Sequence, residues 1–113
     1  MSGPADRLAA LGLTLPPVTA PVAAYVPALR TGAYVYVSGQ VPVADGKLLG
    51  TGKVGAEVST EDAAQMARTC ALNGLAAAAS VAGGLDGIRR IVKVVGFVAS
   101  ASGFSASSNQ KTS

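Results

Sequence analysis

This chain of 113 residues has the length and composition of one small globular domain. Apolar residues make up 50% and charged residues 13%, and the formal net charge is only +3, which excludes a disordered chain and a strongly basic nucleic-acid binder. The sequence holds no His and one Cys, which excludes His-based nucleophilic catalysis, ordinary zinc sites and an internal disulfide. We expect a reducing compartment, the cytoplasm.

The N-terminal part predicts one short helix and then an extended segment. Residues 4–11 have Pro4 in the first turn and Gly12 just beyond the last, as helix ends favour. Residues 8–29 carry no charge, but four prolines would break a membrane-spanning helix there, and the pattern is not that of a signal peptide. We therefore expect residues 14–27 to lie extended on the domain surface, without a membrane span.

Strand composition begins after Gly32. Residues 33–40 contain alternating Tyr and Val, and Asp45-Gly46 is a two-residue hairpin signal between two short apolar runs. These features predict a hairpin over residues 34–49.

The clearest helix is predicted over residues 59–81. Ser59 and Asp62 resemble a capping box, apolar residues follow at helical spacing, and Gly83 marks the end. We expect Cys70 to be an inert buried thiol, and Asn73 to bond nearby backbone rather than act in catalysis.

The last predicted strand is the apolar run of residues 88–99. Its β-branched residues indicate a strand covered on both faces near the centre of a sheet. Residues 100–113 are rich in Ser, so we expect a domain over residues 1–99 and a disordered tail over 100–113. Such a strand needs more neighbours than three strands and one main helix supply, which indicates that part of the domain is missing.

Two charged or glycine-rich motifs do not predict a phosphate site. The G-x-G-x-x-G match at residues 50–55 lacks a helix directly after it and an acid at the position that binds ribose. Arg89, Arg90 and Lys93 are the one basic cluster, and we interpret them as a solvated strand edge, so a nucleic-acid partner is not expected.

Candidate ligand contacts are few. Ser38 has no His to activate it, but its hydroxyl can bond a ligand, and Gly39 would let a ligand approach the backbone. Tyr25 either directs its hydroxyl into a cleft or packs as a surface aromatic, and both alternatives stay open.

Several segments taken together resemble the Rid/YjgF family. They are Tyr25 with the run Ser38-Gly39-Gln40-Val-Pro42, the helical run ending at Asn73, and the run containing Phe97. Residues 8–16 are similar to the opening of one branch, "Leu-x-x-Leu-Gly-x-x-Leu-Pro". The resemblance covers roughly residues 7–104.

This resemblance implies an α+β, chorismate-mutase-like fold, with a mixed sheet and a helix packed on one face. It implies a homotrimer with ligand clefts between subunits, which hydrolyses enamines and imines such as 2-aminoacrylate to a 2-keto acid and ammonia, without metal or cofactor. It assigns pocket positions to Tyr25 and Ser38, and we expect Gly39 and Phe97 to join them in ligand binding.

The chain departs from the family pattern in two places. The family run Gly-Pro-Tyr-Ser-Gln is replaced by residues 23–27, Ala-Ala-Tyr-Val-Pro. The resemblance also places a helix, two strands, the carboxylate-binding Arg and a late acid beyond Phe104. We therefore expect a C-terminally truncated member, impaired or inactive as a deaminase. The alternatives are a non-catalytic trimeric metabolite-binding module and, less favoured, an endoribonuclease.

Overall fold

The structure, a computed structural model, describes residues 3–18 and 26–104 of the chain. These residues form two α-helices, four short strands and one 3₁₀ helix, a mixture that agrees with the predicted α+β class. In chain order the elements are α1 (Pro4–Ala10), β1 (Ala28–Thr31), β2 (Tyr34–Val37), β3 (Val43–Ala44), β4 (Lys47–Leu48), α2 (Thr60–Ala82) and the 3₁₀ helix (Leu85–Gly87).

The strands pair as two separate antiparallel hairpins. β1 pairs with β2, which places Ala28 opposite Val37, and β3 pairs with β4. Gly32 turns the first hairpin with a φ of 59°, the positive value that a type II′ turn needs at its first central position. The prediction of one hairpin over residues 34–49 is therefore wrong, because β2 pairs back to β1 and not forward to β3.

The turn of the second hairpin agrees with the sequence. Asp45 has a φ of 53° and Gly46 a φ of 77°. Positive φ at both central positions is the geometry of a type I′ turn, which Asp-Gly favours because both residues tolerate the left-handed region. The predicted turn at these two residues is confirmed.

α2 begins and ends where the sequence predicts. The Ser59 hydroxyl accepts a hydrogen bond from the Asp62 N–H at 3.1 Å, which satisfies one of the unpaired donors of the first turn. Gly83 follows the helix with a left-handed φ of 80°, and its N–H donates to the Ala79 carbonyl.

The core lies where α2 packs against β1, β2 and β3. Its side chains are small, and among the described residues no side chain is large and fully buried. The buried apolar residues are Ala28, Val58, Ala76, Ala77 and Ala78. Because these side chains are short, the helix and strand backbones approach each other closely.

The other helices are short. The Ala5 N–H at the start of α1 donates to the Asp86 carboxylate in the 3₁₀ helix at 2.8 Å, which ties the N-terminal part to the end of α2. Across the two described ranges, no helix combines the length and the apolar character that a bilayer crossing requires.

Residues 88–99, predicted to be a central strand, form no strand in the structure and are not covered by any other described part of the chain. Residues 89–99 are all exposed, and Phe97 is 94% exposed. At its near end the Ile88 N–H donates to the Leu85 carbonyl at 3.1 Å, and at its far end the Val54 N–H donates to the Ala99 carbonyl at 2.9 Å and the Ala101 N–H donates to the Val54 carbonyl at 2.8 Å. The expectation of burial is wrong because apolar β-branched composition shows that a segment suits a strand, not that neighbouring strands exist.

Residues 100–104, which the sequence assigned to the tail, contact the segment around Val54. Ser100 forms an isolated parallel bridge with Val54, and the Phe104 side chain lies against Gly55. Residues 105–113 lie outside the described residues, so the predicted division into domain and tail stays a prediction.

Candidate functional site

Residues 38–43, here called the Ser38 loop, connect the two hairpins and begin with a fixed serine. The backbone N–H and the hydroxyl of Ser38 both donate to the Pro27 carbonyl, at 3.0 and 3.1 Å. The Gln40 side-chain amide donates to the Ser38 carbonyl at 3.0 Å. The Ser38 hydroxyl therefore holds the start of the Ser38 loop against Pro27, the residue before β1. Its oxygen can still accept a hydrogen bond from a ligand.

Gly39 lies at the exposed side of this loop. A Cβ atom built on Gly39 would meet no atom within 4 Å. Packing therefore leaves this position open, and the space in front of its backbone is free for a small molecule. The same space would accommodate a larger side chain, so Gly39 can be tested by substitution.

Two side chains of α2 hold the other side of the Ser38 loop. Asn73 is 8% exposed, and its Nδ2 donates to the Val43 carbonyl at 3.0 Å and to the Val41 carbonyl at 3.4 Å. Cys70 directs its Sγ to the Gln40 carbonyl at 3.8 Å. The prediction that Asn73 bonds nearby backbone is confirmed.

The Cys70 thiol is partly buried on α2. Burial raises the pKa of this thiol above its ordinary value, because desolvation disfavours the thiolate. This direction agrees with the inert role that the sequence predicts.

A cleft of about 480 Å³, here called the α2 cleft, lies on the far side of Asn73. Its walls are residues 14–18, the turn between β3 and β4, and the face of α2 that carries Thr69 and Leu72. Most of the lining is apolar, and polar groups are supplied by Thr14, Asp45, Thr69 and Asn73. Clefts that hold small ligands have roughly 300–1,000 Å³ and a similar mixture of apolar walls and few polar groups. The volume and lining therefore suit a small metabolite.

The glycine-rich loop at residues 50–55 is occupied by the chain's own carboxylate. The Lys53 N–H donates to Glu57 Oε1 at 2.8 Å, and this bond holds the pKa of Glu57 below its ordinary value because it favours the charged form. The Glu57 carboxylate thus takes the backbone N–H that a bound phosphate would need, and its negative charge would repel a phosphate. This agrees with the sequence argument against a phosphate loop.

Three of the four predicted ligand residues lie in the described ranges, and within the chain Phe97 contacts neither of the other two. Ser38 and Gly39 are adjacent in the Ser38 loop, and Phe97 stands in solvent. Tyr25 lies outside the described residues. The sequence analysis did not predict the α2 cleft, although it identified one of the lining residues, Asp45, as a turn residue. Another wall of the α2 cleft is a Pro-rich segment, and no sequence pattern fixes the position of that segment.

The family model described as "YjgF/chorismate mutase-like, putative endoribonuclease" matches residues 5–106. The chain belongs to the YjgF/chorismate-mutase-like family. This membership confirms the resemblance seen in the sequence and the chorismate-mutase-like fold class.

Three relatives show how far the YjgF likeness extends. Protein TCP17 of Trypanosoma cruzi is 36% identical over 104 residues, which are 92% of this chain and 65% of that protein. The crystal structure of Atu1372 from Agrobacterium tumefaciens, a protein of unknown function, has 44% identity and a TM-score of 0.71, covering 88% of this chain and 59% of that one. A crystal structure from Shewanella oneidensis, described as a "putative endoribonuclease", has 36% identity and a TM-score of 0.68. The match covers 74% of this chain and 56% of that one.

The chain thus spans between 56% and 65% of the length of these YjgF-family relatives, less than two thirds of each. The shared part includes α2, the first hairpin and the Ser38 loop, which lie inside the matched residues.

Proposed function

We propose that this YjgF-family chain binds small enamines or imines derived from amino acids, as a homotrimer in the cytoplasm. The ligand class is supported by family membership and by the likeness of residues 34–42 to Rid proteins. The observation that carries the proposal is the Ser38 loop held by Asn73 next to the α2 cleft, because it offers a fixed backbone edge beside a concave surface. The proposal involves no metal or cofactor.

Hydrolysis of the bound imine requires charged groups in addition to the backbone and side chains of the Ser38 loop. Water adds to the carbon of the C=N bond, and the resulting carbinolamine loses ammonia to leave a 2-keto acid. A cation that holds the substrate carboxylate and an acid that directs the water would favour both steps. The hydrogen bonds of the Ser38 loop instead run to Pro27, Cys70 and Asn73, which carry no charge at neutral pH. We therefore infer binding without efficient turnover.

Two measurements on the purified chain test this proposal. Ammonia release is followed from freshly generated 2-aminoacrylate, with a full-length deaminase of the family as positive control. We expect no release above the spontaneous rate, and release well above it would contradict binding without turnover. Thermal unfolding is then followed with pyruvate and with 2-ketobutyrate, the keto acids that resemble the imines. An unchanged melting temperature with both would contradict metabolite binding.

A pair of glycine variants locates the site. Gly39→Val fills the open space beside Ser38, and we expect it to abolish the keto-acid shift in melting temperature. Gly96→Val is the matched control, because a Cβ there also meets no atom within 4 Å but lies outside the Ser38 loop. If Gly39→Val keeps the keto-acid shift in melting temperature, the binding site lies away from this loop.

RNA cleavage is a second candidate, favoured by the description of the family and of the Shewanella protein. The exposed Arg89, Arg90 and Lys93 offer positive charge, but the chain has no His to act as a general base. RNA binding that weakens steeply with added salt, together with cleavage of a single-stranded RNA, would support this candidate. We expect neither.

A further inference from the structure

The α2 cleft is a concave surface distinct from the open position at Gly39. Of the residues in the Ser38 loop, Val43 lines the cleft and Gly39 does not. Asn73 forms part of the cleft wall while its amide nitrogen bonds the loop, so this one residue separates the two surfaces. The described lining residues all fall inside the part of the chain that the family model matches. A ligand in the α2 cleft would therefore leave the Gly39 position open.

The charge of the α2 cleft is negative. Asp45, in the turn between β3 and β4, is the one ionisable side chain among the described lining residues. Lys47 follows two residues later but does not line the cleft. An anionic ligand would meet the Asp45 carboxylate without a cation to offset it, whereas a cationic ligand would gain an ion pair. Because Asp45 is exposed, this ion pair would be weak, and the apolar walls must supply most of the affinity.

Several polar groups of the cleft can only accept hydrogen bonds. Asn73 commits its Nδ2 to two carbonyls of the Ser38 loop, so the atom that it can offer to a ligand is the acceptor Oδ1. Pro16 and Pro17 have no backbone N–H, and their carbonyls only accept. The Asp45 carboxylate also only accepts, while the two threonine hydroxyls of the lining can donate or accept. A primary ammonium, which has three donors and no acceptor, is the complementary group.

The remaining walls are apolar and face each other across the cleft. Residues 15–18 form one side, and Leu72 with Val43 forms another. Removing an apolar group of the ligand from water against these side chains would stabilise the complex. A volume of about 480 Å³ is enough for one aromatic ring with a short chain. The walls therefore suit an amine with a compact apolar body.

We propose that the α2 cleft binds a primary amine with a compact apolar body, with the ammonium group at Asp45 and the apolar body between residues 15–18 and Leu72. Such a ligand has the opposite charge from the keto acids used as probes of the Ser38 loop. The proposal therefore goes beyond the binding of enamines and imines and does not depend on it.

Titration with three phenyl compounds, followed by the NMR chemical shifts of backbone amides, tests the proposal. Phenethylamine is a cation, phenethyl alcohol is uncharged and hydrocinnamate is an anion. We expect phenethylamine to bind roughly two- to fivefold more tightly than the alcohol, the range of an exposed ion pair, and hydrocinnamate to bind most weakly. The signals that move should belong to the lining residues. Equal affinity for the three compounds, or movement confined to other residues, would overturn the proposal.

Asp45→Asn isolates the contribution of the carboxylate. Asn-Gly also favours a type I′ turn, so the hairpin is retained. We expect this variant to bind phenethylamine and phenethyl alcohol equally. Glu61→Gln is the matched control, because it removes the same charge from an exposed position of α2 outside the cleft, and it should keep the preference for the amine. A preference that survives Asp45→Asn, or that is lost in Glu61→Gln, would overturn the role of Asp45.

Pyruvate in the same titration separates this proposal from the proposed function. Pyruvate should leave the amide signals of residues 14–18 in place, and phenethylamine should move them. Amine binding at the cleft without pyruvate binding would support the amine proposal and contradict the proposed function. Pyruvate binding without amine binding would overturn the amine proposal alone. Displacement of pyruvate by phenethylamine would also overturn it, because the two ligands would then share one site.

Discussion

Substitution of Asn73 tests whether one side chain holds the Ser38 loop on α2. The bond from Nδ2 to the Val43 carbonyl at 3.0 Å has ordinary length, and the bond to the Val41 carbonyl at 3.4 Å is weaker. Asn73→Ala removes both, each contributing roughly 0.5–1.5 kcal/mol, and leaves the Val43 carbonyl short of a partner, whereas the Val41 carbonyl keeps the hydrogen bond from the Val43 N–H at 2.8 Å. We expect the free energy of unfolding to fall by about 2–3 kcal/mol.

The measurement is urea unfolding followed by far-UV circular dichroism at a fixed protein concentration. A loss of this size corresponds to a decrease in melting temperature of roughly 8–20 °C for a domain near 100 residues. Gln65→Ala is the control, because Gln65 is an exposed residue of the same helix and its removal should change stability by less than about 0.5 kcal/mol.

Asn73→Asp is a second test of whether Asn73 holds the Ser38 loop. A carboxylate at this position has no hydrogen to donate and would face two carbonyl oxygens, so it should destabilise more than alanine does. The unfavourable contact raises the pKa of the introduced acid in the folded state, so stability should recover as pH falls and be lost as pH rises through that pKa. If Asn73→Ala and Gln65→Ala give the same unfolding free energy, the loop is held by something other than Asn73.

Three further outcomes are expected. Gly55→Ala should cost about 1–3 kcal/mol in thermal unfolding, because φ is 91° and a Cβ there would overlap the Phe104 side chain, whereas Gly96→Ala should cost little; equal costs would contradict the packing of Phe104. Ser59→Ala should lower stability by about 1 kcal/mol and reduce helical dichroism, and an unchanged signal would mean that water replaces this cap. The raised pKa of Cys70 means that stability is present below the unfolded thiol's pKa and is lost as pH rises through the folded one; Cys70→Ala should remove that alkaline loss in urea titrations.

Local signals in the sequence located the elements that depend on neighbouring residues. The Ser59 cap, the Gly83 stop and the Asp45-Gly46 turn are each determined within a few residues, and each agrees with the structure. β1 was missed because a four-residue strand after a Pro-rich segment has little pattern of its own. The usable signal was Gly32, which as the first residue of a two-residue turn would have paired β2 backwards.

Long-range placement was predicted less well. The composition of residues 88–99 predicted a buried strand, but the structure assigns no strand there, because pairing and burial depend on which other segments are present to pair with it and cover it. For the site, the residue types of Asn73 and Ser38 indicated backbone bonding and ligand contact, and the first role is seen directly. The α2 cleft could not be anticipated, because its walls come from three segments far apart in the chain.

The alanine-rich contact between α2 and β1 reverses the usual sensitivity of a protein interior to substitution. Most cores are damaged by truncation, because a deleted side chain leaves a void. The buried apolar side chains of α2 and β1 are the methyl groups of alanines, and Ala77 is only 2% exposed, so there is almost no volume to delete and little room to add any. Replacing Ala77 by Val or Leu would force the helix away from the hairpin, at a cost of roughly 1–3 kcal/mol, and would also draw Asn73 away from its carbonyls. Natural variation at this position should therefore be confined to the smallest residues, while the solvent side of α2 varies freely.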